Sequence, residues 1–166
     1  MTPKSILFVC LGNICRSPVA QGVFQYLLNE RFGFDLSKNW VLDSAGTSNY
    51  HNHEPPDIRA QQSTLIHDID ISHQRSRQFK LDDFDKFDQI FVMDASNYKN
   101  VLKLSKNSVH KNKIHLFLDS SYPDENRQVP DPYFGGNEGF ENVFQMLKKA
   151  SANWLDKWTS VNESIE

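Results

Sequence analysis

Residues Ser5 to Cys10 (SILFVC) form an unbroken apolar run. It stops at a short loop, Leu-Gly-Asn-Ile-Cys, and passes at Arg16-Ser17-Pro18 into the start of a helix. An apolar run with no polar alternation suits a strand buried on both faces, the central strand of a parallel sheet. Ser is a good N-cap and Pro is favoured at the first helical position, so the helix is expected to begin near Ser17-Pro18. Val19, Ala20, Val23, Phe24, Leu27 and Leu28 then follow helical spacing, and Gly33 closes the helix. A strand, a tight loop and a helix in direct succession commit the chain to a βα construction. They also put the loop at the carboxyl end of a buried strand.

The rest of the chain repeats the alternation. Trp40 to Gly46 (WVLDSAG), Gln89 to Asp94 (QIFVMD) and Lys113 to Leu118 (KIHLFL) read as three more strands. Helices are expected from Asp57 to about His67, from Ala95 to Leu104, and from about Glu138 to Ser160. The last carries Phe140, Val143, Phe144, Leu147, Trp154, Leu155 and Trp158 on one face. Alternating strands and helices predict an α/β fold with a parallel sheet. No linker composition divides residues 1–166, so one domain is expected. In such sheets ligands bind beyond the carboxyl ends of the strands. Cys10, Ser44, Asp94 and the long Pro-, Gly- and Asp-rich loop from Ser120 to Gly136 all fall there, and loops of that length are often functional.

Composition excludes several classes. A chain of 166 residues can bury roughly 70% of its unfolded surface without disulfides or metals. Its 18 Lys and Arg against 21 Asp and Glu give a net charge of −3, which argues against nucleic acid or an anionic membrane as partner. No apolar run approaches the ~20 residues of a membrane span. The opening MTPKSILFVC lacks the apolar core and small-residue cleavage site of an export signal, so a cytoplasmic location is expected. The two cysteines, Cys10 and Cys15, make neither a disulfide framework nor a four-Cys zinc site, and no His pair lies near them in sequence. No metal or cofactor is expected, and the role of the thiols is chemical.

That chemistry follows from the loop. A helix N-terminus offers an anion unpaired N–H donors and the positive end of a dipole. The five residues Leu11, Gly12, Asn13, Ile14 and Cys15, with Ser17 beyond them, can curl their N–H groups into an anion nest. Arg16 can grip two oxygens with its planar fork. The same field favours the anionic, nucleophilic form of a cysteine at its centre. A thiolate, an anion cradle and an arginine describe a phosphoryl-transfer site. C-x5-R alone is a weak signal; the preceding strand and the following helix start strengthen it.

Val9 to Pro18 (VCLGNICRSP) resembles the signature of the low-molecular-weight protein tyrosine phosphatases, V-C-x-G-N-x-C-R-S-P. The resemblance continues through Asp43-Ser44-Ala45-Gly46-Thr47, Ser72-His73-x-Arg75 with Gln78, Met93-Asp94 and Asp131-Pro132-Tyr133. It implies a four-stranded parallel sheet flanked by helices, a Rossmann-like three-layer sandwich of the phosphotyrosine phosphatase I type. It also implies hydrolysis of phosphotyrosyl proteins or small aryl phosphates through a cysteinyl-phosphate, with inorganic phosphate or other oxyanions bound in the loop. By the same resemblance Cys10 is the nucleophile, Arg16 the phosphate clamp, and Asp131 the general acid and then base. The Ser17 hydroxyl assists departure of the Cys10 thiolate, and Asn13, Ser44 and His73 brace the loop. Tyr50, Tyr133 and Phe134 wall the crevice and hold the substrate ring. Many members have Tyr-Tyr after Asp-Pro; this chain has Tyr133-Phe134, which removes phosphorylation at the second position.

Cys15 is read as the partner that traps an oxidised Cys10 in a reversible disulfide. The run Lys80 to Asp88 (KLDDFDKFD) is read as a solvated face with Phe anchors. Other readings are weaker. A thiol-coupled arsenate reductase needs a further cysteine relay, and no cysteine follows Cys15. A phosphocysteine carrier of a sugar phosphotransferase system has no need of Arg16 or a general acid. Nothing in the residues motivates a silent phosphotyrosine-binding module.

Overall fold

The computed structural model describes residues 2–163, with side chains to residue 160. The strands are β1 (Ser5–Cys10), β2 (Val41–Gly46), β3 (Gln89–Val92) and β4 (Ile114–Leu116). The helices are α1 (Arg16–Phe32), α2 (Phe34–Ser37), α3 (Ile58–Leu65), α4 (Asp83–Lys86), α5 (Ala95–Leu104), α6 (Ser108–Asn112) and α7 (Asn137–Glu163). All three strand pairings are parallel, in the order β2-β1-β3-β4. β1 is therefore central, as its apolar run requires.

Strand pleating sends alternate side chains of β1 to opposite faces. Ile6, Phe8 and Cys10 join α1, α3 and α7 in one core. Leu7 and Val9 join Phe84 of α4 and Val101 of α5 in the other. The first core is rich in aromatics. Phe8 meets Phe24 and Phe117 at 5.6 Å each, and Phe91 meets Trp154 at 4.8 Å. Truncating a fully buried ring such as Phe8 costs about 3–5 kcal/mol. No helix of the described residues is long and apolar enough to cross a membrane.

The structure departs from the sequence reading at several element ends and in one segment's burial. β4 ends at Leu116, and Phe117–Ser120 is a 3-10 turn; there the Phe117 carbonyl accepts the Trp154 indole N–H at 2.8 Å and so turns toward α7. The helix α1 starts at Arg16, with Cys15 in the cap position making no side-chain cap bond. Ser17 therefore lies inside the first turn, and its hydroxyl is spent elsewhere. Lys80–Asp88 is only partly a solvated face. Phe84 and Phe87 are its anchors, but Asp83 is buried too. It is held by two Arg77 hydrogen bonds at 3.0 Å and by the Lys80 N–H at 2.8 Å.

Candidate active site

The loop between β1 and α1 is fixed from outside through its carbonyls. The Cys10 carbonyl accepts from Thr47 N at 2.9 Å, that of Leu11 from Ser48 N at 3.0 Å, and that of Ile14 from Asp57 N at 2.8 Å. The loop's own N–H groups are thereby left for its inner side. The end of β2 must come close for this. A Cβ placed on Gly46 would lie 2.7 Å from the Leu11 carbonyl oxygen, so only glycine fits there.

Asn13 is in the left-handed region, with φ 58°, a conformation Asn tolerates better than most residues. Its amide donates at 2.8 Å to both the Ser17 and Ser44 hydroxyls, and its carbonyl oxygen accepts from Arg77 N at 3.0 Å. Asn13 and Ser44, both expected in the brace, are thus brought together by a direct hydrogen bond. His73 is not part of it. It is exposed in a turn and faces a shallow polar groove formed with Gln21, Gln25 and Asp70. The segment that follows it reaches the loop through the Arg77 backbone instead. Arg77 is clamped by Asp83 and donates Nε to Asp43 at 3.1 Å. Sequence reading passed over Arg77 because nothing marks which arginine of a turn-rich segment will find two distant carboxylates.

Cys10 sits at the base of a cleft of about 260 Å³. Its sulfur is 3.0 Å from the Ser17 hydroxyl and accepts from the Asn13 N–H at 3.3 Å. Leu11, Gly12, Ile14, Cys15 and Arg16 line the same cleft with Tyr50, Asp131, Tyr133 and Phe134. Arg16 is 3% exposed; its NH1 donates to Asp94 at 2.7 Å and to the Val129 carbonyl at 3.0 Å, and its NH2 lies 3.6 Å from Asp131. Burial opposes the guanidinium charge. The facing Cys10 sulfur and the Asp94 and Asp131 carboxylates outweigh it, so the pKa of Arg16 rises above its usual value. Asp94 also caps α5 by accepting from Asn97 N at 2.7 Å. It orients the arginine, a role that a strand-end Asp does not announce in sequence.

The rim is open. Tyr133 donates its N–H to Asp131 at 3.1 Å and packs edge-on against Phe134 at 5.0 Å. Phe134, expected in the wall with Tyr50 and Tyr133, lines the cleft from an exposed turn followed by two glycines, and is itself 91% exposed. Tyr50 lines the cleft while 77% exposed. His51 lines it too, with Nδ1 2.6 Å from Glu54; its place in a polar loop gave no signal. Burial, helped by Asp57 and the Cys10 sulfur, pushes the Cys15 thiol far up, so it is protonated at neutral pH. Among the described residues no group of His, Cys, Asp and Glu is arranged to hold a metal ion.

The chain is similar to several known proteins. The family model described as low molecular weight phosphotyrosine protein phosphatase matches residues 5–165. The human protein of that name is 42% identical over 93% of this chain and 95% of its own length. A crystal structure of a protein tyrosine phosphatase from Entamoeba histolytica, with Hepes in its active site, superposes with a TM-score of 0.86. It is 35% identical and covers 95% of this chain and 98% of its own. Wzb of Vibrio vulnificus, in complex with benzylphosphonate, superposes with a TM-score of 0.78 at 26% identity, covering 93% of this chain and 98% of its own.

Proposed function

The chain belongs to the low molecular weight phosphotyrosine protein phosphatase family, and from that premise we propose how its residues hydrolyse a phosphotyrosyl or other aryl phosphomonoester. The phosphoryl group enters the loop and meets its N–H groups and the N-terminus of α1. Arg16, fixed by Asp94, binds the equatorial oxygens as charge spreads over them. The Cys10 thiolate attacks phosphorus in line and forms an S–P bond. The P–O bond to the aryl group breaks, and Asp131 gives its proton to the departing oxygen. Asp131, now a carboxylate, takes a proton from water. The water oxygen attacks phosphorus, the S–P bond breaks, and the Ser17 hydroxyl stabilises the returning thiolate. The products are the phenol and inorganic phosphate.

The observation that carries this reading is the Cys10 sulfur, hydrogen-bonded to Ser17 and the Asn13 N–H, in one cleft with Arg16 and Asp131. Specificity for aryl esters rests on reach. The loop meets phosphate alike in phosphotyrosine and phosphoserine, but only the longer ring carries it past Tyr50 and Tyr133 to Cys10. Ring contact adds about 0.5–1.5 kcal/mol beyond area burial. Bound benzylphosphonate in the Vibrio vulnificus protein is consistent with an aryl-bearing ligand. A cytoplasmic phosphotyrosyl protein is the substrate class we favour.

The test is steady-state kinetics. Cys10→Ser abolishes turnover, and Arg16→Ala removes about 3–4 kcal/mol of transition-state stabilisation. Asp131→Asn slows esters with poor leaving groups most and activated aryl esters least. Activity lost in EDTA and restored by a divalent ion, or equal losses across leaving groups in Asp131→Asn, would count against the mechanism.

A further inference from the structure

We infer that Arg59 is a positioning residue, which holds the segment bearing Asp131 and Tyr133 in register with the phosphate loop. The inference rests on the reading that this segment supplies the proton donor and the ring wall. It begins with Asp57, whose N–H donates to the Ile14 carbonyl at 2.8 Å, so the start of α3 is fixed to the loop. The Asp57 carboxylate caps α3 by accepting from Arg59 N at 2.9 Å. It then takes the Arg59 side chain in a two-pronged grip, Nε at 3.1 Å and NH2 at 3.0 Å. The Arg59 hydrogen bond, set against partial burial, holds the Asp57 carboxyl below its usual range.

The grip fixes the guanidinium plane. Its centre lies 4.9 Å from the Phe140 ring of α7 and 5.3 Å from the Tyr133 ring. NH1 donates to the Gly135 carbonyl at 3.4 Å. The start of the segment is secured by Val129 N donating to the Met93 carbonyl at 2.8 Å and by Arg16 on the Val129 carbonyl. Past Pro132, residues 133–136 are exposed and held by local turns such as Gly135 N to the Pro132 carbonyl at 2.9 Å. Arg59 meets this stretch at two residues from an anchor that itself touches the loop. Displacement of a catalytic group by about 1 Å costs on the order of a hundredfold in rate, so a brace of this kind bears directly on turnover.

Amide hydrogen exchange and kinetics on the full chain test it, using Arg59→Ala and Arg59→Lys. The lysine variant keeps the charge and the stem but loses the planar fork, so the fold is retained and the stacked grip is not. We expect residues 133–136 to exchange about tenfold faster in both variants, with β1 and β3 unchanged. With a phosphotyrosine peptide kcat falls about tenfold, and with p-nitrophenyl phosphate less than about threefold, because the activated ester needs less protonation. Wild-type exchange at 133–136 in Arg59→Ala overturns the inference, as does wild-type exchange and turnover in Arg59→Lys. If Asp131→Asn slows both substrates equally, the proton-donor reading fails. Faster exchange at 133–136 in the Arg59 variants then still upholds the positioning role.

Discussion

Ser17 shows how one hydroxyl is drawn from a generic task to a particular one. As an N-cap it would accept from an N–H of its own helix. Buried two residues beyond the cap position, it sits 3.0 Å from the Cys10 sulfur and accepts from Asn13 Nδ2 at 2.8 Å. Facing a thiolate, which has no proton to give, the hydroxyl is the donor of this pair, and Asn13 fills one of its two acceptor sites. A donor aimed at sulfur stabilises the thiolate both before attack and as it leaves phosphorus. Ser17→Ala should therefore slow breakdown of the phosphocysteine more than its formation. The expected result is kcat lowered by about tenfold to a hundredfold, the equivalent of one lost charge-assisted hydrogen bond, with a burst of phenol release in rapid-mixing experiments. Loss of the burst phase together with kcat would place the hydroxyl in the first step instead.

At the scale of elements, the active loop is a product of two neighbours. β1 delivers it, and the end of β2 presses against its back. Gly46 is the contact point, with no room for a side chain between β2 and the Leu11 carbonyl. Gly46→Ala must move backbone rather than a flexible side-chain end, a cost of about 1–3 kcal/mol in a packed setting. Gly46 is paired to β1 in the sheet, so we expect the loop to be displaced and activity to fall further than stability. Phosphate affinity, read by inhibition, should weaken while the thermal midpoint drops by only a few degrees. A variant with native phosphate affinity would mean that β2 yields and the loop does not.

At the scale of the whole molecule, the sheet and α1 bury Cys15, and its thiol pKa is raised well above the ordinary value of 9.0. Below pH 9 both folded and unfolded chains keep that proton, and stability does not depend on it. Above pH 9 the unfolded chain releases the proton and the folded chain does not, so stability falls as pH rises, by up to about 1.4 kcal/mol per pH unit. Urea unfolding of wild type and Cys15→Ala between pH 7 and 10.5 checks this: the difference in stability between the two should narrow steadily above pH 9. A constant difference would show that the Cys15 thiol ionises in the fold as it does in the unfolded chain.

The βα construction and the place of the loop were legible in the sequence, because a six-residue, β-branched and aromatic apolar run is too short for a buried helix and ends at a Gly-containing loop before a Ser-Pro helix start. Cys10, Asn13, Arg16 and Ser17 could be singled out for a local reason: they lie within eight consecutive residues at the junction of a strand and a helix. Asp131 could be named only through resemblance, since an Asp-Pro in a long loop is by itself a turn. What the tertiary structure alone decided are the long-range partnerships. Asp94 on Arg16, Arg77 on Asn13 and Asp83, and Arg59 between Asp57 and Tyr133 join segments far apart in the chain. His73, expected in the brace, gave way to the backbone of Arg77. A charged side chain in a turn carries no record of which distant carboxylate or carbonyl will face it. That is set by how β1, β2, β3 and α3 pack, and the packing is driven by apolar area that does not depend on which polar groups are carried at the edge.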